Sequence, residues 1–216
     1  MAGHGAFGSD SGSALLITLL IMSLLAGLGG ALVFLMDVET AISANYRHAQ
    51  ELRYAADAGL ECAMAELRIR PDWSVALAAA SGGTAARCTD SAAPARTIDG
   101  TPLDLARLTA AHQGDSDLRY GAPASNPDSP RWEPFSQGRL TAGGRDGPST
   151  RPYVVVWVAD DVDDGDHDPR QDANGVVLLR AQAFGYRGGR AGVEAVVARD
   201  AGPPAGVRVI GWREVR

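Results

Sequence analysis

The chain has 216 residues, of which 45% are hydrophobic, 6% aromatic and 21% charged. That suffices for one core of ordinary size, is short for two full domains, and excludes collagen-like, disulfide-dense and wholly disordered classes. All 20 basic residues are Arg, against 26 acidic ones, and a net charge of −6 with a pI near 5.2 argues against a general nucleic-acid-coating role.

The mean hydropathy of −0.08 averages two unlike parts. No charged residue occurs between Asp10 and Asp37, and within that gap Ala14 to Met36 reads ALLITLLIMSLLAGLGGALVFLM. Such a run is long enough to cross a bilayer as a helix. A removable secretory signal would have a shorter apolar core preceded by positive charge. Here the first twelve residues hold neither Arg nor Lys, so the segment is expected to stay with the mature protein. Neither flank is basic, so charge rules leave the orientation unassigned. Gly27, Gly29 and Gly30 serve either close helix packing or a local weak point, at roughly 1 kcal/mol each relative to Ala.

Helical periodicity continues past the apolar run. Val38, Ile42, Asn45, Ala49, Leu52, Ala56, Leu60, Ala63 and Leu67 follow at spacings of three or four, and all but Asn45 are apolar. Glu39, Arg47, Glu51, Arg53, Asp57 and Glu66 fall largely on other faces, and Glu66 with Arg70 forms an i,i+4 pair. Pro71 ends the pattern. The spacing predicts one helix over 14–70, whose second half must bury its stripe against this chain or a neighbour.

These residues carry a resemblance. Gly12-Ser13-Ala14-Leu15-Leu16, Glu39, Asn45-Tyr46-Arg47 and Tyr54-Ala55-Ala56-Asp57-Ala58-Gly59-Leu60-Glu61, together spanning about 12–68, resemble the N-terminal region of PilX-type minor pilins of type IV pili. The resemblance implies an α+β, pilin-like fold: one long N-terminal helix packed on a small antiparallel sheet, with an irregular region between. It divides the chain into a leader (1–12), a transmembrane or filament-core half-helix (13–36), an amphipathic half-helix (37–70), a loop region with short helices (71–150) and a sheet head (151–216).

The same resemblance implies a structural subunit rather than an enzyme. It would be held in the inner membrane by a single pass with its head in the periplasm, and later built into an extracellular pilus. Its implied partners are other pilins, pilus assembly proteins, membrane lipid and a prepilin peptidase that cuts after Gly12 and leaves Ser13 first; Gly8 is the weaker candidate. Two positions depart from the family pattern: Ser11 stands where a basic residue is usual, and Ile17 where major pilins carry Glu. In a filament that Glu can neutralise a neighbour's terminal amine, and an unpaired charge in the apolar core would cost several kcal/mol. Ile17 therefore fits a subunit at or near the tip, helping to start assembly and present a surface. The alternatives are a minor pseudopilin of a type II secretion system, which shares the missing Glu, and a signal-anchored periplasmic binding module that never polymerises.

An exported head would meet an oxidising environment, where Cys62 and Cys88, the only two cysteines, can pair and pin the following loop to the helix. Two free thiols are the alternative. Residues 71–150 are rich in Ala, Gly, Pro, Ser and Asp and read mostly as loop, with short helices expected over 72–80 and over 101–112, the latter with Thr101 as N-cap and Pro102 in its first turn. Trp132-Glu133-Pro134-Phe135 within it either packs under the loop or offers aromatic surface to a partner. Runs at 153–159 (YVVVWVA), 176–184 (VVLLRAQAF), 192–198 (GVEAVVA) and 207–212 predict three or four antiparallel strands, the second and third joined by a hairpin through Gly185–Gly189.

Residues 160–172 hold seven Asp and one Arg, equal by themselves to the whole formal net charge. Asp164, Asp166 and Asp168 alternate as at the opening of a calcium loop, and Asp172 can close over an ion. Dense carboxylates suit Ca²⁺ better than zinc, and His167 alone makes no zinc site. The EF-hand pattern is broken, since Pro169 and Gly175 replace its turn Gly and bidentate Glu, and a solvated acidic hairpin loop is the alternative. No nucleophile elbow, phosphate loop or His-Glu-x-x-His occurs, and the four histidines are scattered.

Overall fold

The computed structural model describes residues 10–78, 88–90, 94–122, 126, 128–141, 151–200, 202 and 206–215, with side chains from residue 13 onward. Residues 1–9 of the leader and the side chains of residues 10–12, Gly12 included, lie outside what the structure describes. The chain divides into two units, Met1–Arg47 and His48–Arg216.

The first unit is helical throughout its described residues, forming the start of α1 (Asp10–Arg68, 59 residues). Every described side chain from Ser13 to Arg47 is exposed, including Leu15, Leu20, Leu25, Leu32 and Phe34. Three of its hydroxyls turn inward on the helix: Thr18, Ser23 and Thr40 donate to the carbonyls of Leu15, Leu20 and Met36. This satisfies polar groups that an apolar solvent would otherwise penalise.

In the second unit, six strands form one antiparallel meander in sequence order. They are β1 (Thr89–Asp90), β2 (Glu133–Leu140), β3 (Tyr153–Asp160), β4 (Val176–Phe184), β5 (Arg190–Asp200) and β6 (Gly206–Val215). All eight residues of β3 are buried, because each face of the sheet is covered. On one face Val154, Val156, Val158, Leu179, Val193 and Val197 meet Leu52, Ala56, Leu60, Ala63 and Leu67 of α1. On the other, Tyr153, Val155 and Trp157 pack with Trp132, Phe184 and the half-buried Leu105 and Leu108 of α3 (Leu105–Tyr120). Two-sided burial is why β3 reads as an unbroken apolar run rather than an alternating one.

The helical stripe is therefore buried from Leu52 to Leu67 only; Val38, Ile42 and Ala49 of the same stripe are exposed. Gly59 sits where α1 comes closest to the sheet: a Cβ there would lie 2.5 Å from Cγ1 of Val154. α1 ends at Arg68, two residues before the limit set by Pro71. Arg70 lies beyond it with its guanidinium over the Phe135 ring. Trp73 then folds back, donating from Nε1 to the Leu67 carbonyl, and a single turn, α2 (Ser74–Leu77), follows.

The described residues within 71–150 are more ordered than their composition suggests. The second predicted helix starts at Leu105 rather than Thr101, because Asp104 is the N-cap, accepting from the Arg107 amide. It also runs eight residues further, to Tyr120. Thr101 and Pro102 belong instead to a tight loop in which Pro102 bridges to Arg96. The sheet has two strands more than the upper expectation of four. β2 takes in the Glu133-Pro134-Phe135 segment, with Trp132 and Phe135 both buried, so these aromatics are packing rather than surface. The register shifts between Pro134 and Ser136; Pro134 pairs with Trp157 of β3, and β1 reaches only Arg139 and Leu140, so no described strand lies on the proline's other side, an edge position of the kind prolines occupy in sheets.

Candidate functional site: the acidic β3–β4 loop

β3 delivers Asp160 at its last residue, and the chain leaves the sheet through Asp161 before returning at Val176. Gly165 (φ 68°), His167 (φ 64°) and Gly175 (φ 77°) take left-handed conformations that fold this connection tightly back on itself. Its two limbs are cross-linked by carboxylates. Oδ2 of Asp164 accepts from the Ala173 amide at 2.8 Å, and Oδ1 of Asp161 accepts from Nδ2 of Asn174 at 2.9 Å. The returning limb is tied to α2 through the Asp172 amide, which donates to Oγ of Ser74 at 3.1 Å. His167 leaves the loop altogether, its Nδ1 lying 3.0 Å from both oxygens of Asp128.

The four aspartates expected to hold an ion are not brought together. Asp168 is exposed and accepts from the Arg170 amide of its own turn. Asp172 accepts from the Gly175 and Val176 amides and so caps the entry to β4. Asp166 accepts from the Asp168 amide with one oxygen. Only Asp164 joins a convergent group, and its companions are Asp160 and Asp161: one carboxylate oxygen from each lies within 4.8 Å of the others. Asp160 is 3% exposed. Burial first, and the neighbouring Asp164 carboxylate second, push its carboxyl up to about 8. Among the described residues, no Arg or His forms an ion pair with any of the three.

The alternation of aspartates from Asp164 onward imitates the opening of a calcium loop without its geometry. The better signal was the Asp160-Asp161 pair directly after an apolar strand, since burial of a strand covered on both faces extends to a carboxylate at its last position.

A second polar feature crosses the sheet. Arg180, Glu194 and Arg213 are successive cross-strand partners on β4, β5 and β6. Arg180 is 3% exposed, lies 3.9 Å from Glu194 and donates to Asp115 of α3 at 3.2 Å; Arg213 donates to Glu194 at 2.5 Å. His112 stands edge-on to the Trp157 ring nearby, with centroids 4.4 Å apart. This ladder fixes α3 to the sheet. An Arg and a Glu in the middle of adjacent apolar strands were its sequence signal.

Cys62 of α1 and Cys88 are joined by a disulfide with Cα atoms 6.1 Å apart. It tethers the stretch leading into β1 to the helix. A hollow of about 460 Å³ lies between Gln50 and Arg53 of α1 and Gly192, Glu214 and Val215 of the sheet edge. No known protein family, curated protein or solved structure matches this chain.

Proposed function

We propose that the chain is a minor pilin: a membrane-anchored structural subunit assembled into a type IV pilus, at or near its tip. The observation that carries the reading is α1 itself. One uninterrupted helix is apolar and exposed along 14–36, long enough to cross a bilayer, and buries an amphipathic face against a sheet from Leu52 onward. An apolar surface of that length is unstable in water, so lipid or other helices must cover it. A lipid anchor that can exchange its bilayer for a bundle of like helices meets both demands. The resemblance of residues 12–68 to PilX-type pilins supplies the filament.

The missing carboxylate at Ile17 supports a terminal place over a repeated one. Tagged protein should sediment with inner membranes and appear in filaments sheared from the cell surface, at far below major-subunit abundance. Deleting it should reduce the number of filaments. Recovery only in membranes, with normal filaments after deletion, would favour the non-polymerising periplasmic module.

A further inference from the structure

We propose that Asp160, Asp161 and Asp164 hold a calcium ion where β3 passes into the β3–β4 loop, with Asp166 contributing from the loop. Asp160, Asp164 and Asp166 each keep a buried oxygen without a partner, while Asp161, whose Oδ1 and Oδ2 accept from Asn174 and the Asp163 amide, adds its charge and remaining lone pairs. Asp164 uses Oδ2 to bind the Ala173 amide and leaves Oδ1 buried without a partner. Asp166 uses Oδ1 and leaves Oδ2 in the same condition. Asp160 is almost wholly enclosed, and its Oδ1 is likewise buried and unpartnered. A buried acceptor without a donor costs about 1–3 kcal/mol, and more when charged. Three such oxygens on neighbouring carboxylates, with no Arg or His among the described residues paired to the group, are a cost that a cation removes.

The chemistry of the donors selects the ion. All are carboxylate oxygens, the backbone around them is a tight loop, and no His or Cys belongs to the group, which excludes the usual zinc and copper sets. Calcium takes six to eight oxygens in flexible geometry, so waters and backbone carbonyls can complete its shell here, whereas magnesium demands a near-ideal octahedron. The ion would join the end of β3 to the limb that the Asp164–Ala173 and Asp161–Asn174 bonds already tie to the return strand. That limb reaches Ser74 beside the end of α1. Calcium is thus placed to brace the corner where helix and sheet meet, whatever the head does outside the cell.

The test uses the full chain in detergent micelles, stripped with EGTA and titrated with CaCl₂. Calorimetry should give one Ca²⁺ per chain, and tryptophan fluorescence should show a higher melting temperature with Ca²⁺ than with EGTA. Mg²⁺ should bind more weakly. Asp160→Asn and Asp164→Asn should each weaken binding by about tenfold or more, while Asp168→Asn leaves it unchanged. The wild-type shift stands as a readout even if one variant folds poorly. No heat and no change in melting up to about 10 mM Ca²⁺ overturns the proposal, as does unaltered binding in folded Asp160→Asn, or equal binding of Mg²⁺.

Discussion

Replacing Gly59 by Ala is expected to destabilise the protein although alanine is the better helix former. The added Cβ would stand 2.5 Å from Cγ1 and 3.8 Å from Cβ of Val154, and 3.5 Å from Cγ2 of Val156. Carbon atoms rest at about 3.5–4.0 Å, so α1 must lift from β3 by about 1 Å, or Val154 must leave its rotamer. Overpacking of this kind costs about 1–3 kcal/mol, against a propensity gain of about 1 kcal/mol. The expected net loss is about 1 kcal/mol, or about 2–4 °C in melting temperature for a chain of this size. Gly114, helical in α3 with nothing within 4 Å of a Cβ, is the control: Gly114→Ala should gain about what propensity offers. Thermal unfolding of the full chain in detergent reads both, and Gly59→Ala with Val154→Ala should recover part of the Gly59→Ala loss. A Gly59→Ala protein melting at or above the wild type would refute the close helix–sheet approach.

Reducing the Cys62–Cys88 bridge, or replacing both residues by Ser, should cost about 3 kcal/mol, since the cystines are 26 residues apart in sequence; denaturant unfolding with and without reductant measures it. Glu194→Ala should cost about 3 kcal/mol, because it leaves Arg180 buried with only the exposed Asp115 as its counter-charge; its loss should exceed that of Arg213→Ala in the same denaturant assay. His112 is lowered to about 4 by burial first, then by Arg180, with Asp115 opposing and Arg190 adding. The unfolded chain therefore takes up a proton that the folded chain resists, so this residue costs stability as pH falls from about 6.5 to about 4. Asp160, raised to about 8, slopes the opposite way as pH rises from about 4. Melting curves in EGTA should thus show the histidine's contribution as the difference between wild type and His112→Phe, and a difference that is flat across that interval would contradict it.

Much of the sheet could be read from residue type because β3, β4 and β5 are rich in Val, Ala and Leu and bounded by turns. β2 could not. Its sequence EPFSQGRL carries Pro134, Gly138 and four polar or charged positions, which is loop chemistry by composition; it becomes a strand because β3 offers a full row of partners. α3 was truncated for a related reason: Gly114 and the Asp-Ser-Asp that follows weaken the helical pattern, while Gln113 bonds to Asp117 and Pro130 and Trp132 bonds to Ser116 across to the next segment. The helical stripe was visible over its whole length, but spacing alone does not say which part of it this chain covers. At the acidic loop, composition found the place and the backbone decided the residues. Beyond the left-handed residues Gly165 and His167, Asp168 is exposed and bonded within its own turn, while Asp164 joins Asp160 and Asp161 where β3 ends.

The central claim is that an exposed apolar helix first anchors the subunit in a membrane and then enters a filament. Its most direct test is the intact mass of the chain recovered from sheared surface filaments. The expected species lacks residues 1–12 and begins at Ser13. A chain that keeps its first twelve residues, found in membranes and never in filaments, would contradict it.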